Sequence, residues 1–197
     1  MCGGSALCKN SWCSTTKNPK CGGYCMYCYT NMFPDKPLSR NFKTKEIEVI
    51  RRIHEHYASN QYSWTSNRRV LDGCSKRLPD LMLDLGSHVL FIEIDEHQHA
   101  DYDCSCEQKR TSELLEDIGH RPCVFIRFNP DAYIRVEDGV KIPSCWRVSS
   151  KTKALAVAPK HQAAWEQRIQ SLFQQIDYWI QYLPTDKLLE IVHLFYS

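Results

Sequence analysis

Near the middle of the chain, Pro79-Asp80 leads into a short apolar run, and a second apolar run ends in Glu93-Ile94-Asp95-Glu96-His97-Gln98-His99. These are side chains suited to metal-assisted hydrolysis. Mg2+ takes a few carboxylate oxygens and lets waters complete its octahedron. A cation so held stabilises charge on a phosphoryl oxygen and makes hydroxide available at neutral pH. A histidine of ordinary pKa, near 6.5, can accept a proton from water or donate to phosphate. The plainer reading is an acidic hairpin end in solvent, or acids paired with Arg77, Arg110 or Arg127.

These groups act together only if the chain brings them together, and the turn between the two runs decides that. Gly86-Ser87 reads as a two-residue hairpin loop joining Leu81–Leu85 to His88–Ile94. Counting back from Leu85 opposite His88, Asp80 falls opposite Glu93. Residues i and i+2 share a face of a strand, so Asp95 points the same way as Glu93. The other face carries Leu81, Leu83, Leu85, Leu90, Ile92 and Ile94, apolar at every position and bound to pack on a core. The expectation is one core face and one face with opposed carboxylates. Like charges directly opposite destabilise a hairpin, and a shared cation would offset that cost.

A second set of candidate ligands lies at the N-terminus, where six of the eleven cysteines fall within the first 28 residues. Without a secretory signal, a metal site in a reducing compartment (nucleus or cytoplasm) fits better than a disulfide framework. Cys25-Met26-Tyr27-Cys28 has the two-residue gap that lets both sulfurs reach one Zn2+. The other pair comes from Cys8, Cys13 and Cys21. Cys8 and Cys13 are preferred because Gly22-Gly23-Tyr24 then leads the chain back to the knuckle, with Cys21 the runner-up. A lone CxxC can be redox-active, but no thioredoxin-like strand precedes this one. His99 with Cys104 and Cys106 is an alternative, irregular zinc set, and Cys74, Cys123 and Cys145 read as small core or loop residues.

The elements that must position these groups follow from periodicity. A length of 197 residues suits one domain of about 150 residues with a small appendage. The boundaries expected are a Cys-rich zinc-binding module over 1–36 and an α/β domain over 37–197. Residues 1–30 hold almost no aliphatic side chains and cannot build a core unaided. Ile47, Val49, Ile50, Ile53 and Tyr57 stripe one face of a helix starting near Thr44. Residues 107–118 read as a helix stopped by Gly119, and Cys123–Phe128 as a buried strand, an order that suggests a parallel crossover. Ala163 to Tyr182 is an amphipathic helix, while Leu188–Phe195 is apolar and open to either helix or strand. Residues 139–148 suggest a small hairpin or strand, and Lys151–Lys160 a basic solvated loop with nucleic-acid contact open. The net charge of +2 neither favours nor excludes nucleic acid. No apolar run nears the roughly 20 residues of a membrane span, so no membrane partner is expected.

Pro79-Asp80 on one strand and Glu93-x-Asp95 on the next resemble the PD-(D/E)XK, or restriction-endonuclease-like, nuclease superfamily. The resemblance implies a core of helix, β-hairpin, helix and strand, with the two acids binding catalytic Mg2+. The family's usual lysine position holds Asp95 here. Asp95-Glu96-His97-Gln98-His99 followed by Glu107-Gln108-Lys109-Arg110 is similar to the branch with very-short-patch-repair and EDxHD homing endonucleases. That likeness implies a role for His99, four positions after Asp95, and for a glutamate of the first helix. Glu46 matches it better than Glu48. The stretch ending Ile126-Arg127-Phe128-Asn129-Pro130-Asp131 is also similar to uncharacterised endonuclease-like proteins of giant DNA viruses and protists, which carry a Cys-rich N-terminus and lack a cysteine matching Cys21.

The function so implied is a Mg2+-dependent endonuclease cutting DNA, of repair or mobile-element (homing) type, inside a cell, with a virus-infected host cell among the settings the resemblance allows. Asp80 and Glu93 would hold Mg2+, His99 would serve as base or phosphate donor, and Asp95 would orient it or complete the metal shell. Glu46 would support the site, and Arg110 and Arg127 would contact phosphate. The alternatives are a catalytically inactive nuclease-fold protein that binds nucleic acid and a zinc-stapled interaction protein.

Overall fold

The computed structural model describes residues 7–13, 15–96, 104–183 and 187–197, with backbone alone at residues 40 and 104–107. It separates into two compact units, one formed by Met1–Thr44 with Val148–Ala156, the other by Lys45–Arg147 with Val157–Ser197.

The first unit is built round sulfur and aromatic rings, because its sequence offers few aliphatic side chains. It contains two short helices, α1 (Met26–Met32) and α2 (Pro37–Arg40). Cys25 caps α1, its sulfur accepting the Cys28 N–H, and Pro37 opens α2, where a missing N–H costs nothing. Tyr24 and Tyr29 pack against Phe33, and Tyr27 against Phe42. The Ser149–Ala154 turn joins this unit through Asn41, whose side chain binds Lys153 O and Leu155 N–H.

The second unit is a mixed α/β layer structure. After α3 (Thr44–His56) come β1 (Trp64–Ser66), β2 (Leu81–Asp84), β3 (Val89–Ile94), α4 (Cys104–Asp117) and β4 (Cys123–Phe128). Two short ribbons follow in the chain, β5 (Tyr133–Ile134) with β6 (Lys141–Ile142) and β7 (Trp146–Val148) with β8 (Leu155–Val157), the latter including Val148, Leu155 and Ala156 of the first unit. Last are α5 (Gln162–Gln181) and β9 (Leu189–Leu194). The segment that sequence left open between helix and strand is thus a strand. The main sheet runs β1-β2-β3-β4-β9, antiparallel through β3 and parallel from β3 to β9.

The β2–β3 register is the one a Gly86-Ser87 loop demands, with Leu81 opposite Ile92 and Asp84 opposite Val89. Leu85 N–H donates to His88 O at 3.0 Å to close it. Gly86 sits at φ +79, which the first position of a type II′ turn requires. Asp84 accepts the Gly86 N–H and is itself forked by Arg121.

The sheet departs from the sequence expectation in one respect: both of its faces are covered. Every residue of β3 is buried. Met82, Val89, Phe91, Cys123 and Phe125 pack under Leu114 of α4 and Ile118 just past its end. On the opposite face Trp165 of α5 meets the Phe128 ring edge-on, and Tyr57, just past α3, meets Phe173 of α5. Arg52 forks Glu166 to tie those two helices together. The reason is topological. The parallel partner β4 makes β3 a central strand, and parallel strands need both faces covered. The carboxylates therefore lie where a covered face runs out, not on an open one.

Candidate functional site

Glu93 and Asp95 follow Phe91 along the face beneath α4, beyond the apolar cover. Continuing the β2–β3 register one step past Leu81–Ile92 sets Asp80 opposite Glu93. The ladder itself stops there. Pro79 has no N–H to extend it, and Asp80 Oδ2 accepts the Ile94 N–H at 2.8 Å. Glu93 and Asp95 are 6% and 1% exposed.

The arginines decide the charge balance. Arg110 of α4 donates through Nη2 to both Glu93 oxygens, at 2.9 and 2.8 Å, and to Leu78 O. Arg127, the β4 register partner of Glu93, turns its Nε to Asp95 instead. Asp95 also accepts the Tyr196 hydroxyl. His193 of β9 pairs in register with Arg127, so Glu93, Arg127 and His193 form one row across three strands, with His193 packed edge-on against Tyr196. Burial pushes the Glu93 carboxyl up to about 8, the charges of Asp80 and Asp95 adding to the rise against the pull of Arg110.

Glu46 is buried in the first turn of α3 and accepts from Asn67 Nδ2 at 2.9 Å. Asn67 in turn donates its N–H to the carbonyls of Pro79 and Asp80, at φ +50, so it links Glu46 to the strand that carries Asp80. Beside Glu46, Lys45 is 5% exposed and reaches both oxygens of Asp131 at 2.8 Å and Glu96 at 3.1 Å. Asn129 holds the Asp131 N–H, which explains the Asn-Pro-Asp turn as a mount for this buried ion pair. Asn67, Lys45 and Tyr196 escaped the sequence reading. Lys45 alone carried a signal, since a lysine in a helix's first turn opposes the dipole and calls for an acidic partner.

His99 lies outside the described residues, as do the side chains of Cys104 and Cys106. Among the described residues no three carboxylates bring their oxygens within 4.8 Å of one another; the group that does meet this spacing is Cys8, Cys13, Cys25 and Cys28.

Those four sulfurs could hold a metal such as zinc. A tetrahedron with Zn–S bonds of 2.3 Å has sulfurs about 3.8 Å apart, and Cys13 and Cys25 Sγ stand at 3.7 Å. Cys25 N–H donates to Cys8 Sγ and Cys28 N–H to Cys25 Sγ, bonds that favour thiolate ligands. The Thr15 side chain and backbone draw the Cys13 thiol down to about 6. Cys21 is also buried, but its sulfur meets Met26 Sδ at 3.9 Å and lies outside the group. The preference for Cys8 and Cys13 over Cys21 agrees with this arrangement. Cys123 and Cys145 are buried and Cys74 exposed, as core and loop residues should be.

No helix among the described residues is long and apolar enough to cross a membrane. The chain matches no protein-family model, no curated protein and no solved structure.

Proposed function

We propose that the chain is a metal-dependent endonuclease hydrolysing phosphodiester bonds in DNA, with Asp80 and Glu93 as carboxylates for Mg2+. The observation that carries this reading is the meeting of Asp80 and Glu93 at the end of a hairpin whose register sets them opposite, with Asp95 on the same face. A buried carboxyl held near pH 8 by burial and two neighbouring acids is a site that a divalent cation would relieve. The order α3, β2–β3, α4, β4 is also the helix, hairpin, helix, strand order of the restriction-endonuclease-like core.

In this account a bound cation would stabilise phosphate charge and supply hydroxide. Asp80 and Glu93 would hold it. Asp95, fixed by Arg127 and Tyr196, orients neighbouring groups, and His99 takes the proton from the attacking water. Arg110, now bonded to Glu93, would contact a phosphate oxygen once the cation displaces it. The reading extends to a zinc-stapled N-terminal unit and to a repair or homing role.

A second reading, a nuclease-like scaffold that binds without cutting, draws on the same contacts: Arg110 and Arg127 already occupy Glu93 and Asp95. Calorimetric titration of the zinc-loaded protein with Mg2+ separates the two. The nuclease binds the ion, and Asp80→Ala does not. A scaffold takes up none. A panel of duplex, mismatched, branched and single-stranded DNAs then identifies the substrate.

A further inference from the structure

We infer that the N-terminal unit is a binding surface for unpaired DNA, with Trp12 stacking on a base and lysines neutralising the phosphates. Two independent observations carry this. The first is charge. The whole chain is near neutral at +2, yet Met1–Thr44 with Val148–Ala156 contains eight lysines and arginines against one acid, Asp35. That unit is therefore +7 and the remainder −5. Even four thiolates around Zn2+, a set worth −2, leave the unit strongly positive. No salt bridge among the described residues involves Lys9, Lys17, Lys20, Lys151 or Lys153, and Lys17 and Lys20 are exposed. Such a concentration of unpaired positive charge attracts a polyanion.

The second observation is Trp12. Its indole is 95% exposed, whereas the other four tryptophans are buried or half-buried. The ring stands on a fixed backbone. Trp12 N–H is held by Asn10 Oδ1 at 3.2 Å, and Cys13 N–H by Asn10 O. Asn10 itself donates to Cys28 Sγ at 3.4 Å, so the loop between Cys8 and Cys13 is tied to the sulfur cluster. A large flat ring presented by a tethered loop, in a unit rich in lysines, is the combination that binds single strands, because every base offers a face to stack on. Duplex bases are already stacked, which is why the unpaired form is the one this ring selects.

The inference does not depend on cleavage. The test is fluorescence anisotropy of a labelled oligodeoxythymidylate of about 15 nucleotides with the zinc-loaded full chain, in the absence of Mg2+. Trp12→Ala should weaken binding about tenfold without changing the salt dependence, and Trp12→Phe should recover part of the loss. The pair Lys17→Ala and Lys20→Ala should lower the slope of log K against log salt by about 1.4. Zinc content equal to wild type shows that each variant is folded. Wild-type affinity in Trp12→Ala, or an equal Trp12 effect on the matching duplex, would overturn the inference. Because binding is read without Mg2+ and without cleavage, a failure here is separable from a failure of the nuclease reading.

Discussion

Arg110 holds both carboxylate oxygens of Glu93, although the residue beside Glu93 in the sheet register is Arg127. The two arginines are thus exchanged. The neighbour in the sheet serves Asp95, and the helix above reaches down to Glu93. A cation binding Glu93 must displace a guanidinium that comes from α4 and leave the Asp95–Arg127 pair standing. Arg110→Gln should therefore raise Mg2+ affinity while weakening DNA binding, measured by calorimetry and anisotropy on one preparation. Unchanged Mg2+ affinity would show that Arg110 does not compete for the site.

The Glu93 carboxyl gives stability a definite pH dependence. Its ordinary value is 4.5, and burial raises it to about 8 in the folded chain. Between those values the unfolded chain has released the proton and the folded chain still binds it, so stability falls as pH rises, then levels off above 8. Glu93→Gln removes this fall. Melting temperatures of both proteins from pH 4.5 to 9, without divalent cations, should diverge as pH rises, with the variant the more stable. A difference that does not change with pH would refute the assignment.

Lys45 and Asp131 are a buried pair, their side chains 6% and 7% exposed. Removing one partner leaves the other charge buried, at a cost of about 3–5 kcal/mol, whereas replacing both by apolar residues can be near neutral. Urea unfolding of Lys45→Met should show that loss, and Lys45→Met with Asp131→Leu should recover most of it. Equal losses in single and double variants would mean that the pair is not the source.

The sulfur cluster makes a sharp distinction among cysteines of one short segment. Cys28→Ser should lose the bound zinc, while Cys21→Ser, whose sulfur rests on Met26, should keep one zinc per chain. Atomic absorption on the purified variants decides this. Zinc lost from both would place Cys21 among the ligands.

Local signals made the hairpin and the cysteine knuckle legible in the sequence. Gly86-Ser87 fixes the register, and with it the meeting of Asp80 and Glu93, because a two-residue loop allows no other pairing. Cys25 and Cys28 announce their joint ligation by spacing alone. The cover over Met82 and Phe91 was not legible, because it is supplied by Leu114 and Ile118 more than twenty residues further along. Nor was the exchange of arginines, which depends on where α4 comes to lie. Tyr196 reaches Asp95 from just beyond a strand whose sequence suited helix as well as sheet, so nothing near Asp95 could announce it.

The most direct test of the central claim is the rate of DNA cleavage in Mg2+ by the wild-type protein and by Asp80→Ala, with binding measured in parallel. Loss of a cation worth several kcal/mol to the transition state predicts at least about a hundredfold slower cleavage by the variant, with DNA affinity unchanged. Equal cleavage by the two proteins, or none by the wild type under any Mg2+ concentration that it binds, would contradict the account.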